Sequence, residues 1–318
     1  MINITRISQI LLPATLALSL TMFSACNSIV TRFITRSIDQ TAEPIQAVVF
    51  KIEAPIKADV GLSVLWVGHA TVLIQIHDKV IITDPVFTKT VGMLAKRSVE
   101  PGLDRSAISR LDAILISHLH FDHFSYGSLD MLPKEATLVV PPGGAAYTPD
   151  FGFADTREAV YWQPFELGGL KITPVPVQHF GGRYGFDVLW GPEHPFTGYV
   201  VEYKGTTIFF AGDTGYNPEF FKEIGRRFRI DLALLPIAPI EPREFMQRVH
   251  TDPVEAIRIF EDLRADLMIP IHHGTFFQGL EPGPTYARTI MERLIEERGL
   301  QSRVRLLKIG EQVVLQER

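Results

Sequence analysis

The segment HLHFDH at positions 118–123 constrains this chain more than any other part of it. It places four side chains that can bind a metal within six positions, directly after the apolar run at 113–116, which predicts a short buried strand. The loop that leaves the carboxyl end of such a strand is where α/β proteins commonly carry their chemistry. Imidazoles and carboxylates are the donors that divalent ions such as zinc prefer. Since the whole chain contains only 10 histidines, we interpret this segment as part of a metal site, not as a polar loop that happens to hold three of them.

The composition sets broad limits on the fold and on the partners of the chain. With 318 residues, 46% of them hydrophobic, it is long enough for one sizeable core or two small ones. The formal net charge of −5 gives no electrostatic basis for binding nucleic acid, so nucleic acid is excluded as a partner. Strands and helices alternate throughout and no plausible linker follows residue 60. We therefore expect one α/β domain over residues 60–318, with helices covering the faces of the sheets.

The amino terminus carries a separate signal. Residues 10–20 form an apolar stretch that is too short for a membrane span but has the length of a signal-peptide core. The only cysteine, Cys26, follows two small residues, which resembles a bacterial lipoprotein cleavage site. An uncleaved anchor or an ordinary signal peptide is the alternative. We expect residues 1–26 to be a lipoprotein-type signal peptide and 27–59 a tether.

This interpretation predicts where the chain resides. Lipidation of Cys26 would attach the protein to a membrane surface of the bacterial cell envelope. Asn27 follows the cysteine, which in a Gram-negative cell indicates sorting to the outer membrane.

Short apolar runs predict most of the β-structure. Two helices are also well marked: Asp252 can cap a helix that has Pro253 at its first position, and a second helix opens near Pro284 and closes at Gly299. The predicted strands are Leu62–Val67, Thr71–Ile76, Val80–Thr83, Ala113–Ser117, Thr137–Val140, Lys171–Val177, Gly198–Tyr203, Thr206–Ala211, Leu232–Pro236, Leu267–Ile271, Val304–Ile309 and Gln312–Leu315.

Three further strands end in a candidate ligand: His179, Asp213 and the pair His272–His273. Each is weak alone, because an aspartate after a strand often closes a turn and a single histidine is often structural. Their shared position at strand ends, together with the segment at 118–123, favours a common site.

In this order the motifs resemble those of the metallo-β-lactamase superfamily, whose pattern is H-x-H-x-D-H followed by a distant His, Asp and His. The chain resembles in particular the N-acylphosphatidylethanolamine-hydrolysing phospholipase D group and its bacterial relatives, over about residues 62–277. The resemblance implies a four-layer αββα sandwich with two zinc ions in the cleft at the sheet edges. The segments that carry it are WVGHAT at 66–71, TDP at 83–85, ISH at 116–118, QH at 178–179, AGDTGY at 211–216, EPR at 241–243 and IHHGTF at 271–276.

The resemblance also implies a ligand set. One ion would be held by His118, His120 and His179, and the other by Asp122, His123 and His272, with Asp213 bridging the two. His272 fits the order of the family motif, whereas the following His273 departs from it and would line the pocket or offer a spare ligand. Oxygen and nitrogen ligands without cysteine would also accept manganese or iron.

Within this scheme a zinc-bound water, whose pKa falls from 15.7 to about 7, supplies the attacking hydroxide. Asp122 and Asp213 would orient it and hold its proton. His250 either donates a proton to the leaving oxygen or is a surface histidine at a helix start.

Three more residues belong to the surroundings of the expected site. Asp84 either orients a ligand histidine by accepting its second N–H or is a turn carboxylate before Pro85. His69 is expected to pack behind the site, and Arg243 is a pocket candidate from its motif.

The leading hypothesis is a zinc-dependent phosphodiesterase of phospholipase D type that acts on N-acylphosphatidylethanolamine-like phospholipids. The alternative is a lactonase or other small-ester hydrolase, because PEHPF at 192–196 replaces an aromatic-rich stretch of the family. A third hypothesis, from another class of protein, is a surface protein that binds zinc but does not catalyse hydrolysis. The sequence leaves the oligomeric state undetermined.

Overall fold

The computed structural model describes residues 29–317, except 93–94, 185, 190, 192–193 and 278. The expected signal peptide and Cys26 lie outside the described residues. In chain order the strands are β1 (Val60–Gly68), β2 (Thr71–Ile76), β3 (Lys79–Thr83), β4 (Thr90–Val91), β5 (Ala95–Lys96), β6 (Ala113–Leu115), β7 (Thr137–Val140), β8 (Asp155–Glu158), β9 (Phe165–Leu167), β10 (Leu170–Val175), β11 (Gly198–Tyr203), β12 (Thr206–Phe210), β13 (Leu232–Pro236), β14 (Leu267–Ile271) and β15 (Gln312–Glu317).

These strands form two large sheets and one short hairpin. The first sheet has the order β15-β1-β2-β3-β6-β7-β8, and the second has the order β14-β13-β12-β11-β10-β9. The hairpin pairs β4 with β5. In the first sheet β3, β6, β7 and β8 run parallel, and in the second β12, β13 and β14 do so. Each sheet therefore has a block of strands whose carboxyl ends meet at one edge.

The helices are α1 (Ile29–Ala42), α2 (Tyr126–Leu129), α3 (Pro218–Arg227), α4 (Arg243–Met246), α5 (Pro253–Leu263) and α6 (Tyr286–Glu297). The predicted cap of α5 is confirmed, because the Asp252 side chain accepts a hydrogen bond from the Glu255 backbone N–H at 2.8 Å. Asn217 caps α3 in the same way. Within the described part of the chain, every helix is too short or too polar to cross a bilayer.

The apolar core has three large parts, which define four layers, and one small cluster of Val86, Val91 and Phe276. Side chains such as Trp66 and Val64 of the first sheet and Tyr199 and Leu234 of the second fill the space between the sheets. The outer face of the second sheet is covered by α3, α5 and α6, and that of the first by α2 and neighbouring loops. The predicted four-layer αββα sandwich is confirmed.

Two differences from the expected strands have physical causes. The strand predicted at 304–309 is wrong: Val304 makes one isolated bridge with Met268, and the carbonyl of Leu307 accepts a hydrogen bond from the Arg288 side chain. Strands β8 and β9 were not predicted, because their side chains lie at sheet edges and are mostly exposed or half-buried. Strand β8 contains no apolar residue and β9 is only three residues long, so neither gives the pattern that marks a strand in a sequence.

The described part of the expected tether, residues 29–59, contains α1 and contacts the domain at several points. The backbone N–H of Gln46 donates to Ser98 O at 2.9 Å, and Arg36 Nη1 donates to Leu280 O at 2.9 Å. Ile52 and Ile56 pack against the core on the outer face of the first sheet. This stretch is therefore held along the surface of the domain.

Candidate metal centre

The predicted ligands converge because they follow strands whose carboxyl ends point the same way. Residues 118–123 follow β6 in the first sheet, where Asp84 follows β3. In the second sheet, His179, Asp213 and His272 follow β10, β12 and β14. Strand β10 runs parallel to β12, since both are antiparallel to β11. The two sheets thus deliver all of these side chains to one end of the sandwich.

An all-histidine cluster forms from His118, His120 and His179, whose ligand atoms lie within 4.8 Å of one another. His118 Nε2 is 2.9 Å from His120 Nδ1, and His179 Nε2 is 3.4 Å from the same atom. His118 and His179 are buried, whereas His120 is half-buried at the cleft. These are the three residues expected to hold one ion.

A mixed cluster forms beside it from His69, Asp122, His123 and His272. His123 Nε2 lies 3.2 Å from His272 Nε2 and 3.8 Å from Asp122 Oδ2. The expected ligands of the second ion are therefore together. His69, expected only behind the site, places its Nε2 3.1 Å from Asp122 Oδ2 and so contacts a predicted ligand directly.

Asp213 lies where the two clusters meet. Its Oδ1 is 2.9 Å from His272 Nε2, its Oδ2 is 3.3 Å from His123 Nε2, and it also groups with His179 of the all-histidine cluster. Gly212 makes this approach possible: its φ is 62°, and a Cβ there would lie 2.3 Å from the Cβ of Ser117. The position is the one expected for a bridging carboxylate.

The protonation states follow from burial and neighbouring charge. Burial holds the pKa of His118 and His179 well below the usual value for histidine, and nearby histidines lower it further. Burial alone would raise the pKa of Asp213, but the neighbouring His272, His123 and His250 bring it well below its usual value. Neutral imidazoles and ionised carboxylates are the forms that bind a metal.

His123 differs from the other histidines. Burial alone would lower its pKa, but three carboxylates raise that pKa well above the usual value, those of Asp213, Asp122 and Asp84. Without a cation His123 therefore carries a proton, which it must release for its Nε2 to become a ligand.

The donors present fit one or two divalent cations. Within the described chain, Oδ1 of Asp213 is buried without a hydrogen bond, although His272 Nε2 lies close to it. The Nε2 atoms of His123 and His272 face each other at 3.2 Å, an arrangement that a shared cation would stabilise. The set contains nitrogen and oxygen donors, which suit zinc and also manganese or iron.

Two polar groups orient these imidazoles from behind. Asp84 Oδ2 lies 2.6 Å from His123 Nδ1, with both side chains fully buried, which is the orienting role considered for Asp84. Ser117 joins the two clusters: its Oγ is 2.6 Å from Asp84 Oδ2 and 2.9 Å from His118 Nδ1. Sequence reasoning missed Ser117, although it lies directly before the first histidine of the motif.

Backbone carbonyls orient two other ligands. His179 Nδ1 lies 2.8 Å from Val249 O, and His272 Nδ1 lies 2.8 Å from Ala238 O. If each Nδ1 carries the hydrogen, both Nε2 atoms are free to face the cluster. Carbonyl partners cannot be recognised in a sequence, since every residue has one.

His250 is buried, and the structure therefore does not fit the alternative of a surface histidine. Its Nδ1 lies 3.5 Å from Asp213 Oδ2, and burial lowers its pKa to about 4. Arg243 supports the same segment, because Nη1 donates to His250 O at 3.1 Å and Nη2 contacts the Glu255 carboxylate. Arg243 thus holds the His250 segment in place.

His273 lies apart from both clusters. Its ring packs against the Trp66 indole with 4.5 Å between centroids, and burial lowers its pKa to about 3. The structure brings His272 to the ligand atoms and places its neighbour in the wall behind them.

Comparison with known proteins agrees with this geometry. A model of the β-lactamase superfamily domain matches residues 79–273. N-acyl-phosphatidylethanolamine-hydrolyzing phospholipase D 1 of Caenorhabditis elegans is 30% identical over 75% of this chain and 71% of its own length. A UPF0173 metal-dependent hydrolase of Methanopyrus kandleri is 28% identical over 79% of this chain and 98% of its own. Other curated relatives at 30% identity are longer, and the chain spans 59% and 47% of two of them.

A solved structure supports the fold. The isothiocyanate hydrolase from Delia radicum gut bacteria superimposes with a TM-score of 0.65 at 18% identity, covering 80% of this chain and 99% of that one. At this identity the likeness concerns the fold alone. The family match, the relatives and the converging His and Asp side chains agree: the chain belongs to the metallo-β-lactamase superfamily and is a metal-dependent hydrolase.

Proposed function

We propose that this chain is a zinc-dependent phosphodiesterase of phospholipase D type that hydrolyses N-acylphosphatidylethanolamine-like phospholipids. The observation that carries the proposal is the meeting of two donor clusters at one buried carboxylate, Asp213. Two adjacent cations suit a phosphodiester, because the attacking and the leaving oxygen both need their charge stabilised. The name of the Caenorhabditis elegans relative supplies the substrate class.

In the proposed reaction, water adds to phosphorus and the bond from phosphorus to the ethanolamine oxygen breaks. The products are phosphatidic acid and an N-acylethanolamine, and the proton lost by water ends on the leaving oxygen. When bound, zinc supplies Lewis acidity that lowers the pKa of water and polarises the phosphoryl oxygen.

The chain's own residues orient the water, hold its proton and hydrogen-bond to the leaving oxygen. Burial alone would raise the pKa of Asp122 and Asp213, but neighbouring histidines hold both pKa values well below the usual range. Either carboxylate can therefore accept a hydrogen bond from the attacking water and carry its proton to the leaving oxygen. His250, with a pKa of about 4, is neutral at pH 7 and acts as a neutral N–H donor to the leaving oxygen.

Exposed aromatic side chains beside the clusters favour a substrate with long apolar chains. Phe121, Phe180 and Tyr184 are 37%, 42% and 52% exposed, and the Phe180 ring lies 4.8 Å from that of His120. An apolar rim this close to the ligands would contact acyl chains while the phosphate reaches the clusters.

A smaller ester is the second candidate, favoured by the segment that departs from the family. Phe196, at the end of that segment, forms a β-bridge with His118, so this end of the segment borders the all-histidine cluster. A changed border there would alter which substrates fit.

We further propose that lipidation of Cys26 anchors the enzyme to a membrane of the bacterial cell envelope, the outer membrane in a Gram-negative cell. Such an anchor would keep the site at the surface that contains its substrate. Metabolic labelling with a palmitate analogue, compared between the wild type and Cys26→Ala, tests this part separately.

The main experiment assays purified protein of known metal content on N-acylphosphatidylethanolamine vesicles and on soluble lactones. We expect release of phosphatidic acid that stops with a chelator and returns with zinc. Hydrolysis of lactones alone would replace the proposal with the second candidate. Bound zinc without turnover of either substrate would indicate a binding protein and overturn both.

A further inference from the structure

We propose that Arg183 is a positioning residue that ties together the two loops from which the all-histidine cluster is built. One loop carries His118 and His120, and the other carries His179, four residues before Arg183. The proposal concerns the metal centre and does not depend on the identity of the substrate.

The guanidinium of Arg183 holds the metal-binding loop at both ends. Its Nη1 donates to Leu119 O at 3.1 Å and to Phe124 O at 2.9 Å. These two carbonyls bracket residues 120–123, which contain three of the predicted ligands. Hydrogen bonds from a charged donor are stronger than neutral ones, so one side chain fixes the span of the loop.

Aromatic rings surround the same guanidinium. Its central carbon lies 3.8 Å from the centroid of the Tyr126 ring, 4.6 Å from that of Phe121 and 5.2 Å from that of Phe124. The side chain is only 5% exposed. Cation–π contacts of this kind stabilise a buried guanidinium and restrict its position.

The backbone of Arg183 is itself held by hydrogen bonds to a buried carboxylate. Asp187, which is 1% exposed, accepts a hydrogen bond from the Arg183 N–H at 2.6 Å and another from the Tyr184 N–H at 2.9 Å. The Asp187 carboxylate therefore holds the backbone at Arg183 and Tyr184, from which the Arg183 side chain reaches the other loop.

The separation of the two loops sets the distance between their imidazoles. His120 Nδ1 and His179 Nε2, one from each loop, are 3.4 Å apart. If Arg183 no longer held the loops together, the cluster would keep its donors but lose their spacing. The expected consequence is weaker metal binding in a protein that still folds.

The test measures zinc affinity by competition with a chromogenic chelator, without substrate, in Arg183→Met and Arg183→Lys. We expect the Met variant to lose about 10- to 100-fold in affinity at the all-histidine site, the range found when groups supporting a ligand are removed. Lys keeps the charge but lacks the planar fork, so it should recover only part of the loss. Cobalt substitution should give an altered absorption spectrum for the Met variant.

Arg303→Met is the matched control, because Arg303 also donates to a carbonyl, Ala265 O at 2.7 Å, and lies 4.6 Å from an aromatic ring, that of Phe260. Its stability to urea should fall while its zinc affinity stays at the wild-type value. Wild-type affinity in Arg183→Met, or an equal loss in the control, would overturn the proposal. If the Met variant does not fold, Arg183→Lys decides: unchanged affinity contradicts the proposal and reduced affinity supports it. A substrate assay that fails would leave these results unaffected.

Discussion

The all-histidine cluster and the mixed cluster lie side by side but reach a binding-competent state by opposite means. In the first, burial keeps His118 and His179 neutral, so the donors are ready before a cation arrives. In the second, carboxylates surround His123 and keep a proton on it. One motif, H-x-H-x-D-H, thus supplies ligands to two sites whose electrostatics differ. The difference comes from three carboxylates around His123, those of Asp213 and Asp84 outside the motif and Asp122 within it.

The largest expected effect comes from the residue that both clusters share. Asp213→Asn removes a buried negative charge that faces His272 and His123. We expect metal affinity to fall by about 10²- to 10⁴-fold, the factor that corresponds to breaking a buried charge interaction, with hydrolysis lost in parallel. Metal titration and an activity assay measure both.

Asp231→Asn is the matched control for this substitution. Asp231 accepts a hydrogen bond from the Thr207 N–H at 2.7 Å at the opposite end of β13. Its loss should lower stability without changing metal affinity. Equal zinc affinity of Asp213→Asn and the wild type would show that Asp213 does not bind the metal.

Asp84→Asn should weaken the mixed cluster more than the all-histidine cluster. Asp84 contacts His123 Nδ1 at 2.6 Å, and loss of such a supporting carboxylate lowers metal affinity by about 10- to 100-fold. A two-site zinc titration separates the clusters. An equal loss at both sites would show that they are not electrostatically distinct.

Zinc affinity should depend on pH at the mixed cluster only. A cation must displace the proton of His123, whose folded pKa is raised, so affinity rises with pH until that pKa is passed, by about tenfold per unit for one proton. The histidines of the other cluster have lowered pKa values and are already neutral above pH 6.5, so its affinity should be flat there. Calorimetry in buffers of different ionisation enthalpy counts the protons released. Release of none would contradict the protonated state of His123.

The smallest effect is expected for Ser117→Ala. Its hydroxyl contacts both Asp84 and His118 but no ligand atom of the clusters, and the net contribution of a typical hydrogen bond corresponds to about threefold to tenfold in an equilibrium constant. Because Ser117 joins the groups behind both clusters, affinity should fall modestly at both. A loss confined to one cluster would show that the clusters are supported independently.

The fold was predicted best where strands are buried and worst where they are exposed. The strands Thr71–Ile76 and Gly198–Tyr203 are covered on one or both faces, and their sequences are therefore mostly apolar. Their predicted bounds agree with the structure. The edge strand β8, with residues Asp155–Glu158, has no such pattern. The apolar segment 304–309 resembled a strand, yet Leu307 O bonds to an arginine side chain instead of a neighbouring strand.

The site was also predicted only in part from the sequence. The resemblance supplied seven candidate ligands, and the structure brings all seven together, including His179 and Asp213, which are far from the motif in sequence. The roles of His250 and Asp84 stayed open in the sequence, because a histidine before a helix and an aspartate before a proline each have an ordinary structural explanation. Burial of both, beside Asp213 and His123 respectively, is a tertiary property.

The sequence by itself determined the kinds of donor and their position after strands, because local apolar runs and residue chemistry are written in the order of the chain. Only the tertiary structure decided which donors share a cluster, which carry a proton and which contact the backbone. Those properties depend on distances between distant segments and on exclusion of water. Arg183 illustrates the limit: its carbonyl partners, Leu119 and Phe124, are about 60 residues away and carry no mark in the sequence.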